Sequence, residues 1–319
     1  MNRTVKAVVQ MGLLHAPAFI TTPLRDWAQK RELNRAMEIA RRTRVSKEQV
    51  IEALEQFTFD CDVMLHCSMV NIGKIQGGAK FLADTLLAKV DTSQHTLIVS
   101  ALPHRGAFAS WLSESRTFDV RTAPVAMGAV NERLAQHPDA RRSIHPTHSV
   151  VAIGPHAAHY TAEHHLDITP FGPHSPYCKL ITRHAKTLLL GATQNNVTFI
   201  HAIEDLLGDA HPVNVYKRRQ YSVPCIDQQG RQLTVATPVH APWPGALRDC
   251  DCMNDLLTKH HALHTVPLGE AAVTMFDCHD YAMLYLDYLA SGRSIYGKHR
   301  VTDALLQRIE QVKALLAQP

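Results

Sequence analysis

No run of the ~18 apolar residues needed to span a bilayer occurs in the 319 residues. A membrane-embedded helix is therefore not expected. Biased composition is also missing, since fifteen glycines and seventeen prolines sit in a chain that is 45% hydrophobic and 19% charged, which excludes collagen, coiled coil and disorder. Strong charge of either sign is absent. The 33 Lys and Arg against 29 Asp and Glu leave a formal +4, too mild for a nucleic-acid-binding stripe. Cysteine is too sparse and too odd in number for a disulfide framework, with seven thiols at 61, 67, 178, 225, 250, 252 and 278. Reduced thiols in a cytoplasmic protein are expected. At the start, Arg3 and Lys6 precede an apolar stretch from Ala7 to Ile20, but Gln10, His15 and Pro17 interrupt it, so it contains no clean signal-peptide core. What the chain has in excess is histidine, 21 residues. A metal site must therefore be weighed wherever histidines cluster.

Residues 1–47 read as an N-terminal extension, partly helical, and residues 48–319 as one domain. Within the extension, Leu33, Ala36, Met37 and Ala40 form a thin apolar stripe ending in Arg41, Arg42 and Arg44. A solvated helix packed on the body or on a second subunit is the preferred reading over an anion-binding arm. Ser46 opens a capping-box pattern, Ser-Lys-Glu-Gln, before Val50, Ile51, Leu54 and Phe57 at helical spacing. Buried strands are expected at 62–67, 96–102, 149–153 and 187–190. Helices are expected at 79–90, 127–135, 198–207, 281–290 and 302–317. Strands alternating with helices define an α/β domain. The segment from His211 to Ala241 breaks this rhythm and reads as short antiparallel strands around a Gln-Gly turn.

Three stretches carry the chemistry. In LHCSMVNIGKIQGGAKFLADTLL a buried strand empties into a polar turn and then into a helix entered through Gly77 and Gly78. Unpaired N–H groups at a helix start, approached closely past glycine, suit a phosphate. The pattern is neither a P-loop nor GxGxxG, and a plain tight turn is the alternative. The second stretch is RRSIHPTHSVVAIGPHAAHYTAEHHLD. In the third, GATQNNVTFIHAIEDLLG, a strand ends at Gly191, a loop holds Gln194, Asn195 and Asn196, and Thr198 opens a helix bearing His201 and Glu204. Spacing of three puts both side chains on one helix face, where a carboxylate can orient an imidazole and stabilise its protonated form. A surface salt bridge is the plainer alternative.

Together these stretches resemble the aminoglycoside 3-N-acetyltransferase family. The resemblance runs through His66-Cys67-Ser68-Met69 with Gly73 and Gly77-Gly78, then Phe118-Asp119 with Thr122, Pro124 and Gly128. It continues through Arg142-Ser143, His145-Pro146, Ser149 and Gly154, then His164, Ser175-Pro176, Leu188 to Gly191, Asn196, Thr198, His201 and Glu204. GEAAVTMFDCHDYAMLYLDYLA resembles the family's closing helix. The resemblance implies an α/β fold with a mixed central sheet flanked by helices and a small antiparallel subregion on the substrate side. It also implies direct acetyl transfer from acetyl-CoA to the amine of an aminoglycoside, amino sugar or related small molecule. His66, Ser68, Met69, Gly73, Gln76, Gly77, Gly78, Ser143 and His145 would hold CoA. His201, oriented by Glu204, would be the general base, with Asn196, Thr198 or backbone N–H groups at the oxyanion. Neither a metal nor a nucleic-acid or membrane partner is expected. A small amine acceptor and a second copy of the chain in a homodimer are the expected partners.

Two features point away from a polycationic acceptor: Asp227 is the sole acid between 211 and 248, and Lys217, Arg218 and Arg219 suit a neutral or anionic acceptor or the CoA phosphates. Two other readings stand beside this one. A zinc metallohydrolase is motivated by His156, His159, His164 and His165, by Cys250-Asp251-Cys252 near His260, His261 and His264, and by Cys278-His279-Asp280. A non-catalytic CoA-binding protein of the same fold is the other.

Overall fold

The computed structural model describes residues 31, 34–35, 37–104, 106, 108–114, 116–241, 244 and 247–317. The stretch from Ala7 to Ile20 lies outside the described residues, as do Leu33 and Ala36 of the expected apolar stripe. In chain order the strands are β1 (Arg44–Val45), β2 (Val63–Cys67), β3 (Lys74–Ile75), β4 (Leu97–Ser100), β5 (Phe118–Asp119), β6 (Arg141–Arg142) and β7 (Val150–Ile153). They continue with β8 (Lys186–Leu190), β9 (Tyr216–Ile226), β10 (Gln232–His240), β11 (His264–Leu268), β12 (Ala271–Asp277), β13 (Arg293–Ser294) and β14 (Gly297–Lys298).

Seven of them form the central sheet in the order β11-β12-β8-β2-β4-β7-β6. β2 runs parallel to both β4 and β8, while β7, β12, β6 and β11 pair antiparallel with their neighbours. The sheet is therefore mixed. Its strands are short apolar runs because both faces are covered. Alternate side chains go to opposite cores: Met64 and Ile98 join the cluster around Phe199, Tyr281 and Leu305, whereas Val63, Leu65 and Val99 join the cluster around Leu54, Leu82 and Val130. That period of two carries His66 to the face of Met64. The long hairpin β9–β10, extended by β5, is a separate sheet over its own cluster of Trp111, Tyr221, Val223 and Val235. It corresponds to the expected antiparallel subregion.

Ser46 makes both bonds of the expected capping box at the start of the helix Lys47–Glu55. The segment just before it is tied to the body. β1 pairs with β3, Arg42 forms a 2.6 Å ion pair with Glu270, and Thr43 Oγ1 donates to the same carboxylate at 2.5 Å.

One expectation is corrected. Residues 271–277 of the expected closing helix form β12, paired antiparallel to β8, and the helix begins only at Cys278. Asp277 makes the switch, because its side chain accepts from the N–H groups of His279 and Asp280 and so caps the helix where the strand stops.

Register fixes where loops gather. Cys67 lies opposite Leu190 in the parallel pair β2–β8, and Ser100 at the end of β4 lies opposite Val150 at the start of β7. The loops 68–78, 143–149 and 191–198 therefore leave the same end of the sheet, the crevice beyond the carboxyl ends of parallel strands. Gly191 locks two of them together. Its φ is +68°, and a Cβ there would meet Ser68 O and Ile72 Cγ1, each at 2.6 Å. Asn71 Nδ2 donates to Gly191 O at 2.9 Å across the same contact. Gly191→Ala should destabilise the fold by about 2 kcal/mol, read as a lower urea midpoint at unchanged m, through left-handed strain and displacement of Ser68. An unaltered midpoint would show that the two loops yield freely.

Candidate active site

His201 and Glu204 project from the helix Ile200–Leu207, whose Ile200, Ala202, Ile203, Leu206 and Leu207 are sunk in the core. With the apolar faces used for packing, the pair is held rigidly, and Arg308 Nε closes the helix end by donating to Leu206 O at 2.9 Å. The His201 Nδ1 to Glu204 Oε2 distance is 2.7 Å, with His201 5% and Glu204 3% exposed. Burial alone would push the Glu204 carboxyl up. The adjacent His201 outweighs it and holds the group at about 2. The other carboxylate oxygen accepts from Tyr296 Oη at 2.8 Å. On the far side of the ring, Arg248 Nη1 lies 2.8 Å from His201 Nε2. Arginine only donates, so Nε2 accepts and the ring proton sits on Nδ1, facing Glu204. This is the tautomer in which Nε2 can take a proton and Glu204 can stabilise the resulting imidazolium.

Aromatic rings surround His201. His240 lies 4.6 Å from His201 between ring centroids, Phe171 lies 5.1 Å away, and the Tyr216 ring is tilted against His240 at 4.8 Å. His240 comes from the end of the hairpin, so the small sheet forms one wall. His145 and His164 stack at 4.6 Å in the neighbouring loop. Several buried polar atoms there have no protein partner: Nε2 of His66, of His145 and of His240, and both amide atoms of Gln194. Such atoms are costly unless a ligand or water meets them. They mark this crevice better than size does. Clefts of about 540 Å³ beside Arg141 and His165 and about 560 Å³ beside Trp111 lie elsewhere, and a 290 Å³ cavity lined by Glu204, Asp205, His211 and Tyr216 backs the pair. In that cavity burial pushes the Asp205 carboxyl up to about 7.

The residues expected on the donor side fall into two groups. Ser68, Met69, Gly73, Gln76, Gly77 and Gly78 lie along the turn that leads into the helix Gly78–Val90. Gly77 and Gly78 have φ of +82° and +60°, and no side chain caps that helix start. Lys47, which sequence patterning did not single out, lies beside it, with Nζ 5.3 Å from the centroid of the Phe81 ring. His66 is buried, and burial pulls its imidazole down to about 4. Ser143 is fully enclosed. Its hydroxyl pairs with His164 Nδ1 at 2.9 Å and accepts Val150 N–H at 2.9 Å, so it shapes the wall from behind. His145 is also enclosed, with Nδ1 accepting from Thr147 and His148 N–H.

In the loop 191–198 Asn196 Oδ1 accepts from Thr193 N–H at 3.0 Å, closing a capping box, while half-buried Thr198 makes one 3.3 Å bond to Asn196 O. Asn195 is the loop's tie to the rest of the site, bonded to Asp251 and to Cys250 N–H. Arg248, His240 and Tyr296 were not foreseen. They reach His201 and Glu204 from segments remote in sequence, with no motif to announce them.

All seven cysteines are free thiols. Burial pushes Cys67 and Cys250, the two nearest these loops, up to about 12, so neither offers a thiolate. Among the described residues, one group of side chains comes together at metal-binding distances: His184, Asp277 and His279, with ligand atoms within 4.8 Å of one another. It sits at the opposite end of β8 from the His201 loop. No helix among the described residues is long and apolar enough to cross a membrane.

A mixed α/β sheet with a buried His–Glu pair and a glycine-entered helix start, both beyond the carboxyl ends of its parallel strands, is the crevice arrangement of an α/β enzyme. The chain belongs to the aminoglycoside 3-N-acetyltransferase family, whose pattern it matches over residues 64–290. It is 33% identical over 181 residues to aminoglycoside N(3)-acetyltransferase III of Serratia marcescens, an alignment covering 53% of this chain and 65% of that protein. The chain spans between about half and two thirds of the length of the curated relatives it matches. Among solved structures, AAC-VIa bound to sisomicin superposes with a TM-score of 0.59 at 25% identity, covering 77% of this chain and 97% of that one. AAC-IIIb in a binary complex with CoASH gives 0.61 at 18% identity, covering 78% and 97%.

Proposed function

We propose that the protein is a cytoplasmic acetyl-CoA-dependent N-acetyltransferase that acetylates the amine of a small molecule of the aminoglycoside, amino-sugar or related kind. The observation that carries this reading is His201, with Nδ1 2.7 Å from buried Glu204 and its Nε2 lone pair directed away from that carboxylate. An amine is an ammonium at neutral pH and cannot attack a thioester until it loses a proton. Nε2 takes that proton while the nitrogen adds to the thioester carbonyl. Glu204, held ionised by His201 with Tyr296 on its other oxygen, stabilises the imidazolium. The C–S bond then breaks, the CoA sulfur leaves with the electron pair and takes up the second proton that the nitrogen sheds, the neutral amide remains, and His201 returns its proton to solvent. Cys67 and Cys250 are held as thiols, which supports direct transfer without a cysteinyl intermediate.

For the donor, the uncapped start of the helix Gly78–Val90, the glycines before it and Lys47 suit a pyrophosphate, and the unpaired Nε2 atoms of His66 and His145 offer hydrogen bonds deeper in the crevice. Asn196 is committed to its own turn. Thr198, held by a single long bond, is the better placed of the two for the oxyanion. The seven free thiols agree with a reducing compartment.

The test is release of free CoA thiol from acetyl-CoA over a panel of amines, with the N-acetyl product identified by mass. Amine-dependent thiol release is the expected result. Tight CoA binding without release for any amine would favour the non-catalytic alternative.

A further inference from the structure

The base of this site is covered. Arg248 Nη1 donates to His201 Nε2 at 2.8 Å, and Nη2 reaches Asn195 O at 3.3 Å. A guanidinium keeps its charge at every working pH. It stands where an amine must enter to lose its proton, so a cationic acceptor arriving there meets a like charge. The neighbouring carboxylates are already engaged: Glu204 bonds His201 and Tyr296, Asp205 bonds Tyr216, and Asp251 accepts from Asn195. A second polar atom waits at the same place, because Nε2 of His240 is buried and unpaired on a ring 4.6 Å from that of His201. A permanent cation beside an unpaired imidazole nitrogen is a pair of groups suited to an oxyanion.

We propose that Arg248, with His240 beside it, is an anion subsite for the acceptor: the amine acetylated here carries a carboxylate or phosphate-type group a few bonds from its nitrogen. The proposal rests on the acyl-transfer reading above. The anion draws the guanidinium off Nε2 as the amine moves in, so that the base is uncovered by the acceptor that satisfies Arg248. An amine without an anion finds Nε2 occupied and a cation beside it. Arg248 is in this sense a specificity residue, and it acts on the base through the contact it gives up.

Matched acceptors separate the possibilities. Thiol release from acetyl-CoA is measured with 3-aminopropanoate against propylamine, with 2-aminoethylphosphonate against ethylamine, and with an aminoglycoside as the polycationic arm. Each is run with wild type, Arg248→Gln and Arg248→Lys. Wild type should favour the anionic member of at least one pair by about tenfold or more in kcat/KM, the worth of one partly screened charge contact. The pair that responds tells carboxylate from phosphonate. In Arg248→Gln that ratio should fall to within about twofold of unity, mainly through KM for the anionic amine, and Arg248→Lys should restore part of it. A wild type that prefers the aminoglycoside or the simple alkylamines, or a ratio that survives in Arg248→Gln, overturns the proposal and leaves acyl transfer standing. No turnover with any amine overturns both.

Discussion

His201→Ala is expected to lower kcat for amine acetylation by about 10³-fold, within the range a positioned general base supplies, while CoA affinity changes less than about threefold. The asymmetry follows from where the ring sits. Its Nε2 meets Arg248, away from the donor turn at residues 68–78, which is tied by Ser68 and Asn71 to Leu190 and Gly191 at the start of the loop leading to the His201 helix. Removing the imidazole also leaves Glu204 as a buried carboxylate with Tyr296 as its remaining partner, so some loss of stability is expected too. Glu204→Gln separates the two effects. It keeps the bond to Nδ1 but withdraws the charge that stabilises the imidazolium, and should cost about 10- to 100-fold in kcat. In the double variant His201→Ala/Glu204→Gln the loss should not exceed that of His201→Ala, because the carboxylate acts only through the ring. Pre-steady-state thiol release and CoA titration by calorimetry give the two readouts. Equal losses in turnover and CoA affinity would remove His201 from the proton transfer.

How much of this was legible in the sequence depends on the range of each interaction. The pair His201–Glu204 could be read because its logic is local, three residues apart on one helix whose apolar positions declare the buried face. The four core strands β2, β4, β7 and β8 could be read as short apolar runs, and the Ser46 capping box as a four-residue pattern. Strand β12 could not. AAVTMF is an apolar run too short for its periodicity to separate strand from helix, and it runs straight into a helix with only Asp277 between them. What decided it was pairing with β8, a partner some eighty residues away. Tyr296, His240 and Arg248 were invisible for the same reason: each is an ordinary residue until the fold brings its segment to the His201 helix. The surplus of histidine was visible at once, but its meaning was not. The structure puts many of these rings into the interior, where the question is their charge.

Acid should therefore unfold this protein unusually early and steeply. Burial pulls His66 down to about 4 and His164 and His240 to about 3, and lowers His145, His148 and His211 in the same direction. The sign follows from linkage. Each group binds its proton more weakly in the folded state than at the ordinary value of about 6.5 in the unfolded chain. Above that value both states hold neutral rings and stability does not change on this account. As pH falls through 6.5 the unfolded chain takes up protons that the folded one refuses, and stability is lost. His66, His164 and His240 alone set a limiting slope of about 4 kcal/mol per pH unit, enough to unfold a protein at the lower end of the usual range of about 5–15 kcal/mol near pH 5, and His145, His148 and His211 act in the same direction. Glu204 acts in the same direction but lower, since a carboxyl held at about 2 loses its contribution only as pH falls below about 4.5. Urea midpoints measured between pH 8 and 5.5 should drop steeply, with an uptake of several protons, and His66→Gln should reduce that uptake by about one. Midpoints constant across this range would mean that the rings are hydrated or exchange protons readily with solvent. The crevice around His201 would then lack the low-dielectric interior that makes a buried Glu204 effective as the partner of its base.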